Sequence, residues 1–254
     1  MQTSELITSP YWWEGGRALP ELPTEPPPRN ELLVIGAGFT GLSAALTAAE
    51  NGVAVTVLDA AIPGQGASTR NGGMIGAPHR PGFVKELATY GSELGGALVR
   101  EGRDAYDFTR SLYTQADMDT GYEQTGRLQL ANTKAAFAAM KQRLALLNDI
   151  QDQGIQIIER EALGAHTNAS IYFGALLYPD HGGLHPRRAH DSLMARALKA
   201  GVTVCAHCPV SAIESGSSGF RLSLGSQTIQ AQRLIVATNG YTTTMQRFLA
   251  RRIF

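Results

Sequence analysis

The spacing of apolar residues near the start of the chain changes from strand-like to helical and back. Residues 32–35 form a short continuous apolar run, which is typical of a fully buried strand. The next apolar residues recur at helical spacing, at Leu42, Ala45, Leu46 and Ala49. Gly52 ends this helix, and residues 53–58 form a second apolar run. The pattern therefore predicts a strand, a helix and a second buried strand.

Glycines occupy the turn between the first strand and the helix. This turn matches G-x-G-x-x-G, and an acid, Asp59, follows the last glycine by 18 residues. In a dinucleotide site such glycines allow a tight turn, close approach of a pyrophosphate and close helix–strand packing. The helix N-terminus offers N–H groups to phosphate, and the acid accepts hydrogen bonds from ribose. The predicted site comprises Gly36, Gly38, Phe39, Thr40, Gly41 and Asp59.

The segment after Asp59 indicates which dinucleotide is bound. Residues 66–73, here called the glycine-rich loop, read GASTRNGG where a nicotinamide enzyme would normally place a crossover helix. Glycines let the backbone approach a flat ring, and arginine and hydroxyl groups suit phosphate or a polyol chain. The loop therefore favours FAD, with contacts expected from Ala67, Ser68, Thr69, Arg70, Asn71, Gly72 and Gly73.

With these residues together, the chain resembles the FAD-dependent amine and amino-acid oxidases of the D-amino-acid oxidase and glycine oxidase superfamily. Within it, the chain is most similar to the gamma-glutamylputrescine oxidase-like group. That group has an aromatic S-Y-W-type lead-in, similar to residues 9–12, and a G-A-S-x-R-N-G-G loop, matched by residues 66–73. Its ribose acid is more often Glu, so Asp59 is a mild departure. The resemblance is specific over residues 31–76 and looser elsewhere.

Later segments are also similar to the family. Residues 124–130 resemble its G-x-L-x-L strand, residues 178–190 its G-G-x-x-H-P turn, and residues 234–241 a strand and A-x-N-G/A-Y segment beside the cofactor. This similarity places Val210, Ala237, Thr238 and Asn239 at the FAD. Apolar spacing predicts a helix that buries Phe137, Met140, Leu144 and Leu147, a helix over 187–200, and strands at 201–206, 210–214, 220–224, 228–230 and 234–239.

The resemblance implies an α/β fold in which a Rossmann-like FAD-binding domain accompanies a mixed α+β substrate domain, incomplete at the C-terminus. We expect an N-terminal arm over 1–30, a discontinuous FAD-binding domain over 31–78 and 186–241, a partial substrate domain over 79–185 and a truncated tail over 242–254. Family members are considerably longer than these 254 residues. The chain is therefore expected to be an N-terminal portion, or one half of a split protein completed by a second chain, and to bind FAD weakly alone.

The chemistry that the resemblance implies is two-electron oxidation of the C–N bond of an amine or amino acid. An imine forms and is hydrolysed by water, and the electrons pass to oxygen or another acceptor. The cofactor supplies the electron chemistry, whereas the protein supplies position and electrostatics. The sequence nominates no catalytic residue. Two alternatives stay open: a non-catalytic FAD-binding fragment or subunit, and a nicotinamide-dependent reductase, which the glycine-rich loop disfavours.

Composition argues against several other classes of protein. Basic and acidic residues both number 22, so the formal net charge is zero and nothing indicates a nucleic-acid-binding protein. No apolar run approaches the length of a membrane span, and the first residues lack the pattern of a signal peptide. Two cysteines argue against a disulfide framework and fit a reducing compartment, so a cytoplasmic location is expected.

Three further groups of residues are interpreted as structural. Residues 205–208 form a C-x-x-C motif, but no second pair accompanies it and it straddles a predicted strand end. No helical spacing aligns all three of His181, His185 and His190, so they are interpreted as loop and core histidines, and the family resemblance places this segment near the flavin or substrate cavity. No metal site is therefore expected. The aromatic residues at 11–13 are expected to pack on the domain surface instead of binding a ligand.

Overall fold

A computed structural model describes residues 9–16, 20–77, 83–242, 245 and 247–251. The chain divides into two compact units. The first comprises Met1–Gly72, Asp117–Thr120 and His185–Phe254, and the second comprises Gly73–Ala116 and Gly121–Leu184. Six residues of the predicted tail over 242–254 lie outside the described residues, as do residues 1–8 and 17–19 of the predicted arm and residues 78–82.

The first unit is built on a six-stranded mixed sheet. Its strands are β1 (Arg29–Ile35), β2 (Val55–Leu58), β8 (Thr203–Cys205), β9 (Ala212–Gly216), β10 (Gly219–Leu224) and β11 (Gln227–Val236). They lie in the order β8-β2-β1-β11-β10-β9. The pairs β8–β2, β2–β1 and β1–β11 are parallel, whereas β10 is antiparallel to both of its neighbours. The helices of this unit are α1 (Phe39–Glu50), α4 (Pro186–Lys199) and the short α5 (Arg247–Ala250).

Burial explains why the first strand, helix and second strand form as the sequence predicts. All four residues of β2 are buried, and Leu33 and Val34 of β1 are fully buried, as expected for parallel strands in the middle of a sheet. Helix α1 buries one face, formed by Gly41, Leu42, Ala45 and Leu46. The helix begins at Phe39, directly after the second glycine of the motif, so the motif joins β1 to the first turn of α1.

Strand β11 differs from the sequence-based prediction of two separate strands. It runs without a break from Gln227 to Val236, pairing first with β10 and then with β1. The polar residues Gln232 and Arg233 interrupt the apolar pattern but not the backbone pairing, because their side chains are exposed. Arg233 lies beside Leu32 in the parallel register, and its guanidinium is 3.9 Å from the carboxylate of Glu31.

The second unit contains a three-stranded antiparallel sheet and a short two-stranded one. Its strands are β3 (Met74–Ile75), β4 (Arg127–Leu130), β5 (Gln156–Glu159), β6 (Gly174–Tyr178) and β7 (Gly182–Gly183). The larger sheet has the order β4-β6-β5, and β3 pairs with β7. The helices are α2 (Phe83–Tyr113), in which Gly91 has a non-helical backbone, and α3 (Lys134–Asn148). In the described ranges, no helix is both long enough and apolar enough to cross a membrane.

Helix α3 confirms the burial pattern predicted for this region. Its buried residues are Phe137, Met140, Leu144 and Leu147, the same set that helical spacing indicates. The helix is capped by Thr133, whose hydroxyl accepts from the N–H of Ala136 at 3.0 Å. Helix α2 and strands β5 and β6 were not predicted from the apolar pattern.

Candidate cofactor site

A cavity of about 480 Å³ opens in the first unit where β1, β2 and β11 end. Ligand sites of parallel α/β sheets lie at these carboxyl ends, so the position agrees with the general rule for such folds. Five segments distant in sequence line the cavity, and all of its lining residues belong to the first unit. The predicted site residues that line it are Gly36, Gly38, Asp59, Ala67, Ser68, Arg70, Val210, Ala237, Thr238 and Asn239.

The other predicted site residues lie beside this cavity or away from it. Phe39, Thr40 and Gly41 form the first turn of α1. Thr69 is fully buried within the glycine-rich loop, whereas Asn71 and Gly72 are exposed. Gly73 belongs to the second unit. Sequence reasoning did not place Gly64 and Cys208 at the cavity, although both line it.

The turn between β1 and α1 requires glycine at Gly36, and its backbone is open to a ligand because Gly36 and Gly38 carry no side chain. Gly36 has a φ of +103°, and a Cβ there would come within 2.6 Å of the carbonyl oxygen of Ala237. Gly38 is the N-cap of α1 and offers no side chain to the helix N–H groups. The N-terminus of α1 therefore presents backbone donors and a partial positive charge towards an anionic ligand.

The carboxylate of Asp59 is fixed by backbone donors on both of its oxygens. Its Oδ2 accepts from the N–H of Ala37 at 2.9 Å, and its Oδ1 accepts from the N–H of Ala61 at 3.0 Å. The backbone N–H of Asp59 donates to the carbonyl of Cys205 at 2.9 Å, and the backbone carbonyl of Asp59 accepts from the N–H of Cys208 at 2.7 Å. An ionised carboxylate has about four lone-pair sites, so these contacts leave acceptor capacity for ribose hydroxyls.

The glycine-rich loop folds over the start of α1. The Oγ of Ser68 accepts from the N–H of Phe39 at 3.0 Å, and a Cβ on Gly38 would come within 2.8 Å of that Oγ. Arg70 donates through Nε to the carbonyl of Gln65 at 2.8 Å. Together these contacts place a hydroxyl and a guanidinium on the wall of the cavity, where a diphosphate or polyol would find donors.

His190 contacts the turn between β1 and α1. The sequence analysis interpreted it as a loop or core histidine and did not predict this contact. It lies on α4, is fully buried, and its Nε2 is 2.7 Å from the carbonyl oxygen of Ala37. A carbonyl only accepts, so Nε2 carries the proton in this contact. The ring also fills the space beside Gly64, where a Cβ would lie 2.9 Å from the imidazole. No local sequence signal identifies this contact, because it joins residues 153 positions apart.

The C-x-x-C motif has the properties of a buried structural pair. Cys205 and Cys208 are both free and buried, and Cys208 donates to the carbonyl of Thr24 at 3.2 Å. Burial raises the pKa of Cys205 to about 11 and also raises the pKa of Cys208. Both groups are therefore neutral thiols near pH 7, whereas metal ligation and nucleophilic attack use the thiolate. Among the described residues, no cluster of His, Cys, Asp and Glu side chains could hold a metal ion.

Taken as a set, the cavity residues fit FAD. A glycine turn and helix N-terminus suit the diphosphate, an anchored acid suits the ribose, and the glycine-rich loop extends the wall beyond these two groups. Beside the cavity, the buried space is filled by apolar side chains and by His190.

Comparison with known proteins gives the same assignment. The model of the family described as "DAO: FAD dependent oxidoreductase" matches residues 31–253. The chain is 25% identical over 247 residues to the "Probable oxidoreductase OrdL" of Rhizobium meliloti (strain 1021), a match that covers 95% of this chain and 57% of the relative. It is 28% identical over 159 residues to the gamma-glutamylputrescine oxidoreductase of Escherichia coli (strain K12), covering 61% of this chain and 36% of the relative.

A solved structure shows the same fold. The glycine oxidase from Geobacillus kaustophilus superposes with a TM-score of 0.69 at 20% identity, covering 88% of this chain and 59% of that chain. This likeness confirms the expected α/β fold with its parallel, Rossmann-like sheet. The chain spans about half the length of the curated relatives that it matches.

Proposed function

The chain belongs to the DAO family of FAD-dependent oxidoreductases, and on that premise we propose that it oxidises the C–N bond of an amine or amino acid. FAD is the cofactor of this family, and the cavity at the ends of β1, β2 and β11 is its proposed site. The observation that supports the substrate class is the match, over most of the chain, to a relative named gamma-glutamylputrescine oxidoreductase. The glycine-rich loop, with its G-A-S-x-R-N-G-G pattern, supports the same group.

The residues of this chain hold and orient the cofactor in the proposed reaction. The turn between β1 and α1 and the N-terminus of α1 bind the diphosphate, and Asp59 accepts hydrogen bonds from the ribose. Ser68 and Arg70 provide donors along the adjoining wall of the cavity. FAD held by these residues would supply the acceptor for the hydride equivalent removed from the carbon that bears the amine.

The substrate must be the neutral amine, because an ammonium has no lone pair to assist loss of hydride. A desolvated site lowers the pKa of an amine and so raises its neutral fraction. The imine product is released to water and hydrolysed, and the electrons pass to oxygen or another acceptor. We propose a reducing compartment, the cytoplasm, for this protein because both of its cysteines are free thiols.

The test is an anaerobic titration of the FAD-loaded protein with paired compounds. Primary amines, N-methyl amines and α-amino acids are each compared with the alcohol of the same carbon skeleton. We expect the visible absorption band of the flavin to bleach with at least one amine and with none of the matched alcohols. Bleaching by an alcohol alone would overturn the proposal, and a bound flavin that no amine bleaches would establish the non-catalytic alternative.

A further inference from the structure

The tryptophans of the chain both contact the glycine-rich loop. Residues 9–16, here called the aromatic arm, contain the 3₁₀ turn Tyr11–Trp13. The indole Nε1 of Trp12 donates to the carbonyl oxygen of Asn71 at 2.7 Å. The indole Nε1 of Trp13 donates to the Oγ1 of Thr69 at 2.9 Å. These contacts join residues 59 and 56 positions apart, so the loop receives two directed hydrogen bonds from a distant segment.

The contact made by Trp13 continues through the loop. The hydroxyl of Thr69 accepts from the indole and donates to the carbonyl of Gly64, which closes the loop on itself. Thr69 is fully buried, so removal of the indole N–H would leave its hydroxyl bonded to Gly64 but with an acceptor site that water does not reach. The guanidinium of Arg70 also lies over the ring of Trp13, 4.7 Å from its centroid.

The two sides of the loop therefore have different partners. On one side, the indoles bind Thr69 and Asn71 and stack with Arg70. On the other side, Ser68 accepts from the N–H of Phe39 at the start of α1 and lines the cavity. Residues 67–69 form a single 3₁₀ turn, so a shift of Thr69 also moves Ser68.

The arm is itself held against the start of α4. The ring of Trp12 makes an edge contact with the imidazole of His185, with 5.0 Å between centroids. A Cβ on Gly15 would lie 2.8 Å from the Nε2 of His185, and a Cβ on Gly16 would lie 2.9 Å from the side chain of Arg187. Helix α4 thus fixes the arm, and the arm in turn fixes the glycine-rich loop.

We propose that the aromatic arm is part of the FAD site, with Trp12 and Trp13 as positioning residues that hold the glycine-rich loop in its FAD-binding conformation. Their rings do not line the cavity, so they act through Thr69, Asn71 and Arg70. The inference uses FAD binding alone, which family membership supplies, and does not depend on the proposed oxidation of amines.

The first experiment removes the hydrogen-bond donors and keeps aromatic rings. Trp13→Phe and Trp12→Phe are compared with the wild type for FAD affinity by equilibrium titration. Because the loop loses one directed hydrogen bond to a buried hydroxyl, FAD affinity of Trp13→Phe should fall about tenfold, equivalent to about 1.4 kcal/mol. Tyr11→Phe is the matched control, because Tyr11 is 73% exposed and the substitution keeps its ring against Trp12.

The second experiment distinguishes a specific contact from general loss of stability. Thr69→Val is combined with Trp13→Phe in a double-mutant cycle of FAD affinity, and amide exchange is measured over residues 64–71 without FAD. If the indole acts through Thr69, Trp13→Phe should cause little further loss in the Thr69→Val background, and exchange of the loop should accelerate. Additive losses, or unchanged affinity and exchange in both tryptophan variants, would overturn the proposal.

The third readout uses the position of the tryptophans. The chain contains two Trp residues, and both lie in the aromatic arm, so tryptophan fluorescence reports on the arm directly. FAD added to the protein should change this emission with the same midpoint as the change in flavin fluorescence. An emission that does not respond to FAD at saturation would contradict a place for the arm beside the cofactor.

Discussion

At the residue scale, Gly38 directly precedes α1 and lies beside the side chain of Ser68. A Cβ at this position would lie 2.8 Å from the Ser68 Oγ and would occupy the approach to the N-terminus of α1. We expect Gly38→Val to lose its bound flavin, because both the loop and the diphosphate would have to move. The measurement is the ratio of flavin to protein after purification.

A matched glycine controls for the substitution itself. A Cβ added to Gly164 would have no heavy atom within 4 Å, and the residue has no positive φ, so Gly164→Ala should keep the wild-type flavin content. If Gly38→Val retained the same flavin content as Gly164→Ala, this would show that the diphosphate does not bind at the turn between β1 and α1.

His181, in the second unit, links stability to pH. It is buried and stacks on Tyr178 with 4.9 Å between ring centroids. Burial lowers its pKa below the ordinary value of 6.5; Asp180 opposes this shift, and Arg127 and Arg103 add to it. Below pH 6.5 the unfolded chain binds a proton at this site that the folded chain does not, so stability should fall as the pH decreases.

The check is urea unfolding at pH 7.5 and pH 5.5, values that bracket about 6.5. His181→Gln should lose less unfolding free energy between these two pH values than the wild type does. His166 is exposed, so His166→Gln should keep the wild-type dependence. A wild-type pH dependence that His181→Gln leaves unaltered would show that another group is responsible.

At the element scale, His190 joins α4 to the turn between β1 and α1. His190→Leu would leave the carbonyl of Ala37 buried without this donor, which costs about 1–3 kcal/mol. We expect this loss in the unfolding free energy, together with weaker FAD binding. His190→Gln offers an amide donor and should recover part of both. Equal losses in the two variants would assign the effect to packing instead of the hydrogen bond.

The elements that sequence analysis predicted most accurately bury a continuous run or a regular face of apolar residues. Strand β1, helix α1 and helix α3 satisfy this condition, and their buried residues agree with the predicted spacing. Helix α2 does not satisfy it, because Gly91 interrupts the helical backbone with a φ of 76°. Apolar residues such as Leu94 and Leu98 are also exposed, so its apolar residues do not mark one buried face. Strand β11 was divided in two because polar residues can pair through their backbone while their side chains face water.

The family and its FAD cofactor could be inferred from sequence because the glycine motif, the acid and the loop are local patterns, and the family match confirms both. The contacts of Trp13 and His190 could not be inferred, because each bridges segments far apart in the chain and follows no spacing rule. The domain bounds and the individual site residues stay predictions. The structure adds that residues 117–120 join the first unit and that Gly73 belongs to the second.

At the scale of the whole molecule, the cavity and the three-stranded sheet belong to different units. A ligand that binds the folded state slows local opening of the segments that it contacts. FAD should therefore slow amide exchange most in the turn after β1, in the glycine-rich loop and in the segment after β11. Exchange in β4, β5 and β6 should change little. Equal protection of both sheets, measured by mass spectrometry with and without FAD, would contradict this expectation.

The pairing of β1 with β11 also has a consequence during synthesis of the protein. Asn30 donates to the carbonyl of Gln230, a partner 200 residues later, whereas the other edge of β1 is covered by the nearby β2. At about 5–20 residues per second, a ribosome needs about 10–40 s to reach that partner. Throughout this interval the edge of β1 that pairs with β11 has no partner strand. An unpaired apolar strand edge favours association between nascent chains. The pairing of β1 with β11 completes the six-stranded sheet. Until it forms, productive folding therefore depends on keeping the open edge of β1 from pairing with other chains.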